Sequence, residues 1–155
     1  MPTQAQRRRA TAAPTTEPLI TEAEARLVEV AAARAAFAQL VALEAAYDPA
    51  AAALYGADGV VIEQTLMDGV ARPAREIPMR RYKAALPFML SLSRKAGEQA
   101  SHDQIETEWL SPGWVRIRTQ RQSSQSRLAT AYEITFRRET DGCWRVAKEV
   151  ATLAK

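Results

Sequence analysis

The chain has one cysteine and one histidine among its 155 residues. A single thiol excludes an intramolecular disulfide, and one Cys with one His cannot build a Cys/His zinc site. A cysteine nucleophile would need His102 as its base, but Cys143 follows the turn Asp141-Gly142 and opens a strand, a structural position. Long apolar runs are also missing. Even the stretch from Ala84 to Leu92 is broken by Pro87 and Ser91, far short of the ~18 residues that span a bilayer. Glycine-rich phosphate loops are absent too, which argues against a bound nucleotide.

An excess of one charge is likewise lacking over most of the chain. The formal charge of +3 comes from Arg7, Arg8 and Arg9 near the start; residues 19–155 carry 18 basic and 17 acidic side chains. A near-neutral body offers no basic face to a polyanion, so neither nucleic acid nor a membrane is expected as a partner. Residues 1–20, rich in Pro, Thr and Ala and without apolar periodicity, read as a disordered basic lead-in. No apolar segment follows the arginines as it would in a signal peptide, so a cytoplasmic location is expected, or a periplasmic one if an upstream signal has been removed.

What is present suits one domain over residues 21–155. Alanine supplies 31 residues, so the 47% hydrophobic share overstates the larger apolar side chains, which suffice for a single core. Thr21 and Glu24 form a capping box, and Leu27, Val30, Phe37, Leu40 and Val41 recur at helical spacing behind it. Tyr47-Asp48-Pro49 ends that helix, and Asp48 caps a short second one with Pro49 at its first position. After the turn Gly56-Ala57-Asp58-Gly59, a strand begins at Val60. A third helix is expected from about Ala74 to Ser93, with Pro78 in its first turn and Pro87 as a kink or stop.

The remainder reads as two hairpins. A three-residue loop around Gly113 pairs Leu110 with Trp114, Trp109 with Val115, Glu108 with Arg116, Thr107 with Ile117 and Glu106 with Arg118. This register gathers apolar side chains on one face and opposite charges on the other. The same parity sets Asp103 opposite Arg121 and leaves His102 outward, as a solvated strand end. Around Thr140-Asp141-Gly142, the second hairpin pairs Phe136 with Val146, Ile134 with Lys148 and Tyr132 with Val150. The fold class is therefore α+β, with helices packed on one face of a curved antiparallel sheet.

Three stretches carry a resemblance to a known superfamily: Tyr47 through Ile62, the helix after Asp68-Gly69, and Thr135 through Val146 with its Asp141-Gly142-Cys143-Trp144 turn. Together they resemble the nuclear transport factor 2-like superfamily, also called ketosteroid isomerase-like or SnoaL-like. The resemblance implies a cone-shaped curved sheet wrapped on a long N-terminal helix and two shorter helices, with a pocket inside the cone. Its members span isomerases, dehydratases, cyclases, epoxide hydrolases and dimerising scaffolds, so the fold leaves function open.

On that geometry, the inward polar residues are Glu63, Asp103, Arg121 and Lys148, the candidate catalytic set. The expected pocket lining is Phe37, Val61, Tyr82, Thr107, Trp109, Ile117, Thr119, Tyr132, Ile134 and Trp144. Glu63 falls where steroid isomerases of this fold place their carboxylate base. Their hydrogen-bonding tyrosine and acid correspond to about Ala38 or Gln39 and Ile134 here, so the donors that would stabilise an enolate are missing. Epoxide hydrolases of the fold bridge two carboxylates with an arginine, which Glu63, Asp103 and Arg121 could imitate.

Two functions stay open at this point. One is a domain binding an unknown hydrophobic small molecule in an apolar pocket, acting as a cofactor-independent lyase, isomerase or hydrolase with Glu63 as base. The other is a non-catalytic dimerisation or partner-binding module that pairs through the convex stripe of Glu106, Glu108, Arg116 and Arg118. A homodimer is compatible with both.

Overall fold

The computed structural model describes residues 19–155, so Arg7, Arg8, Arg9 and all but the last two residues of the expected lead-in lie outside it. Helix α1 (Glu22–Ala45) begins at the capping box: the Thr21 hydroxyl accepts from the Glu24 amide at 3.2 Å, and the Glu24 carboxylate accepts from the Thr21 amide at 3.0 Å. Its inner face buries Ala33, Phe37 and Leu40. The chain then turns through Tyr47, in the left-handed region at φ 55°, and Asp48 caps a 3₁₀ segment (Pro49–Leu54) by accepting from the Ala50 amide.

Strand β1 (Tyr55–Met67) is followed by the short β2 (Val70–Ala71) and β3 (Arg75–Pro78), both antiparallel to it. Here the sequence expectation needs correction. Residues 75–78 are not the first turn of a helix but a strand whose register sets Glu63 against Arg75 and Val61 against Ile77. Pro78 has extended angles, and helix α2 (Met79–Ala96) starts after it. Pro87 is accommodated inside α2, which ends at Gly97 in the left-handed conformation.

Strands β4 (Ala100–Ser111), β5 (Trp114–Ser123), β6 (Thr130–Arg138) and β7 (Trp144–Ala154) complete a sheet of order β2-β1-β7-β6-β5-β4, with β3 on β1. The β1–β7 contact is parallel, which no local sequence signal announced. The first hairpin has the expected register from Glu106↔Arg118 to Trp109↔Val115, but Ser111 rather than Leu110 pairs with Trp114. The strongly curled sheet wraps on α1 and α2 as the cone-shaped α+β architecture. Its interior is packed around Phe37, Leu40, Val115, Ile117, Ile134 and Phe136.

Two irregularities reset which residues face inward. On β4 the pairing slips between Asp103 and Glu106, with Gln104 at φ 52°. On β7 it slips between Thr135↔Lys148 and Phe136↔Val146, so Ala147 is the extra residue. An inserted residue reverses the alternation of every side chain beyond it. Gly59 permits the second bulge: at φ 127°, a Cβ there would lie 2.0 Å from the Ala147 carbonyl oxygen.

Candidate functional site

A cavity of about 240 Å³ opens between the second half of α1, α2 and the concave face of the sheet. Among the catalytic candidates, Glu63 and Arg121 line it and the other two do not. Lys148 is exposed on the outside, because the Ala147 bulge sets Glu149 opposite Ile134 and aims Glu149 inward instead. Asp103 is exposed too: the β4 bulge puts His102, not Asp103, opposite Arg121. His102, expected outside, therefore lines the cavity.

Of the expected lining residues, Val61, Tyr82 and Tyr132 face the cavity. Phe37, Ile117 and Ile134 are instead close-packed core that fills the narrow part of the cone. Thr119 is buried behind the wall, where its hydroxyl meets His102 Nδ1 at 2.8 Å. Thr107 is half-buried away from the cavity. Trp109 and Trp144 pack on the edge of the core, with the guanidinium of Arg26 4.2 Å over the Trp109 ring and that of Arg138 5.9 Å from the Trp144 ring.

The centre of the site is a pair of carboxylates on one hydroxyl. Tyr55, fully buried at the start of β1, donates to Glu149 Oε2 at 2.7 Å, and its oxygen lies 3.3 Å from Glu44 Oε1. A phenol carries one hydrogen, so the shorter contact to Glu149 uses it and leaves Glu44 without a donor from this group. Burial raises Glu44 from its ordinary 4.5 to about 7; the adjacent Glu149 charge adds to this, while Arg121 and the Tyr55 contact oppose it. Glu149, 6% exposed, is also raised, first by burial, with hydrogen bonds from Tyr55 and Tyr132 and the field of Arg121 pulling the other way. Burial, then the Glu149 charge, holds Tyr55, Tyr82 and Tyr132 well above the usual phenol range.

The facing groups differ. His102 is held neutral, its pKa lowered to about 4 by burial and then by Arg121, and it stands edge-on to both Phe37 and Tyr132. Arg121 approaches Glu98 at 4.0 Å, and Glu98 also accepts from the Ser123 hydroxyl at 2.9 Å. Glu63 forms a 2.7 Å ion pair with the exposed Arg75. Neither Glu44 nor Glu149 has a cation in contact among the described residues. The wall is thus much more polar than the sequence led one to expect.

Sequence reasoning missed Glu44, Tyr55, Glu98 and Glu149. Tyr55 and Glu149 were unreadable because both depend on the bulged β1–β7 contact. Glu44 had a local signal: it lies one helical turn beyond Leu40 on the buried face of α1.

No protein-family model and no curated protein matches the chain. Solved structures do. A candidate scytalone dehydratase from Novosphingobium aromaticivorans superposes with a TM-score of 0.59 at 17% identity, over 83% of this chain and 85% of that one. A candidate ketosteroid isomerase from Parabacteroides distasonis gives 0.52 at 12% identity, over 79% and 85%. A candidate calcium/calmodulin-dependent protein kinase II association domain from Xanthomonas campestris gives 0.54 at 17% identity, over 88% and 90%. The chain has the nuclear transport factor 2-like cone fold, and at such identities the likeness speaks to fold alone.

Proposed function

We propose that this protein is a cofactor-independent lyase or isomerase that moves a proton on a small molecule held in the cone cavity, with Glu44 as the proton acceptor. The observation that carries this reading is the Glu44–Tyr55–Glu149 cluster, in which two buried carboxyl groups share one hydroxyl at the cavity wall. Two such groups cannot both ionise cheaply, so the pair retains a proton near neutral pH and can accept or return one there. Glu63, the base expected from sequence, is already compensated by Arg75, whereas Glu44 has no cation in contact among the described residues. That contrast moves the role to Glu44.

On the opposite wall, a 2.8 Å contact between Nδ1 and the Thr119 hydroxyl fixes the neutral His102 ring, which serves as the polar partner of the substrate. Arg121 orients the other end. Similarity of fold to a candidate dehydratase and a candidate isomerase agrees with proton transfer. The test is hydrogen–deuterium exchange by NMR on a panel of small ketones with and without an amino group. Exchange at carbon should be accelerated by the native protein and fall at least about 100-fold in Glu44→Gln. Unchanged exchange in that variant would remove the reading.

A second reading concerns assembly. Arg116 bridges Glu108 and Glu133 on the convex sheet face, and Arg118 lies 3.6 Å from Glu108 and 3.8 Å from Glu133. Such an alternating ladder is complementary to itself across a two-fold axis, so a homodimer through this face is proposed. A monomeric mass by light scattering at micromolar concentration would refute it.

A further inference from the structure

Resting on the same cavity, the charge census around it selects a ligand class. Four carboxylates line it: Glu44 from α1, Glu63 from β1, Glu98 after α2 and Glu149 from β7. Against them the wall supplies one guanidinium, Arg121, and the rim one more, Arg75. Arg121 lies nearest Glu98, at 4.0 Å, and Arg75 pairs with Glu63, so among the described residues no cation touches the Glu44–Glu149 pair and Arg121 acts on it only through its field. His102 adds none, being neutral in its buried place. Glu44 is the group left over: it reaches the cavity, and the hydrogen of the Tyr55 hydroxyl beside it goes to Glu149.

We infer that the cavity takes a small organic cation, such as a protonated amine, seated against Glu44 and Glu149. A low-dielectric wall magnifies the attraction of an unpaired carboxylate for an ammonium group and repels a carboxylate ligand equally. The rings of Tyr82 and Tyr132 in the same wall suit the apolar body that such an amine carries. A multidentate metal fits less well, since no three His, Cys, Asp or Glu side chains converge as ligands among the described residues. An ammonium needs only the two oxygens that Tyr55 already brings together.

The experiment compares benzylamine, benzyl alcohol and benzoate binding to the full chain at pH 8 by calorimetry, with NMR locating each at the cavity. These probes share a ring and differ in charge. Benzylamine is expected to bind at least about tenfold more tightly than the alcohol, with benzoate weakest. Glu44→Gln should weaken the amine at least about tenfold and the alcohol by much less, so that the preference for the amine is lost. In the native chain, lowering the pH to 5 should weaken the amine alone, as the Glu44–Glu149 pair gains protons; Tyr55, Glu63, Tyr82, Glu98, His102, Arg121 and Tyr132 all face that pair and set its response. Alcohol or benzoate binding as tightly as the amine would overturn the inference while leaving a ligand-binding cavity intact. Failure of all three to reach the cavity would count against both the inference and the proton-transfer reading.

Discussion

The Tyr55 hydroxyl and the Glu149 carboxylate meet at 2.7 Å although 94 residues separate them in the chain. The contact joins the first residue of β1 to the middle of β7, two strands that run parallel with a register shift between Tyr55 and Val60. Because the same hydroxyl also touches Glu44 on α1, it ties the long helix and both strands into one polar cluster beneath the cavity.

Removing the Glu149 charge should release Glu44. In a carboxyl-carbon NMR titration, native Glu44 is expected to titrate near pH 7 and to move down toward ordinary glutamate values in Glu149→Gln. Burial alone would still hold it somewhat high. A Glu44 that titrates at 4.5 in the native protein would contradict the geometry.

The same shift has a consequence for stability. Glu44 binds its proton more tightly when folded, so its contribution is full below about pH 4.5 and is lost as the pH rises through about 7. Glu44→Gln removes that penalty and should gain on the order of 3 kcal/mol at pH 8 relative to pH 4. Urea denaturation of both proteins at the two pH values measures this, and an equal difference at both would contradict it.

His102 acts in the opposite sense. With its folded pKa near 4, it favours the folded state above its ordinary 6.5 and withdraws that support as the pH falls toward 4. His102→Gln should therefore flatten the acid limb of the stability profile. A limb identical to that of the native protein would mean that His102 is solvated.

Tyr55→Phe takes one of two donors from the buried Glu149, leaving Tyr132, and should cost roughly 1–3 kcal/mol in chemical denaturation. An unchanged midpoint would show that the hydroxyl contact carries no energy.

Gly59→Ala is expected to be much worse, because the added methyl would meet the Ala147 carbonyl carbon at 2.9 Å as well as its oxygen. A loss of more than about 3 kcal/mol, or failure to fold, is expected from backbone strain and overlap together. Lys148→Ala, two residues past Val146 but outside the cone, should shift stability by less than about 0.5 kcal/mol. Near-native stability of Gly59→Ala would argue against the bulge that turns Glu149 inward.

Local chemistry made much of this protein legible from its sequence. The Thr21–Glu24 box, the Asp48-Pro49 start and the charge ladder from Glu106 to Glu108 against Arg118 to Arg116 each depend on residues close in the chain or on a single turn, and they stand as read. Glu63 and Arg121 were legible for the same reason, since each lies on a stretch where simple alternation holds. Asp103 and Lys148 were misplaced because one extra residue in a strand inverts every side chain past it. Where that residue falls is decided by the partner strand: the Ala147 bulge exists against the close approach of Gly59, on the adjacent β1 but far away in the sequence. Periodicity therefore determined the layers and the register near the turns, while tertiary contact chose the acid that enters the cone, because a bulge is held by its neighbour rather than by its own sequence.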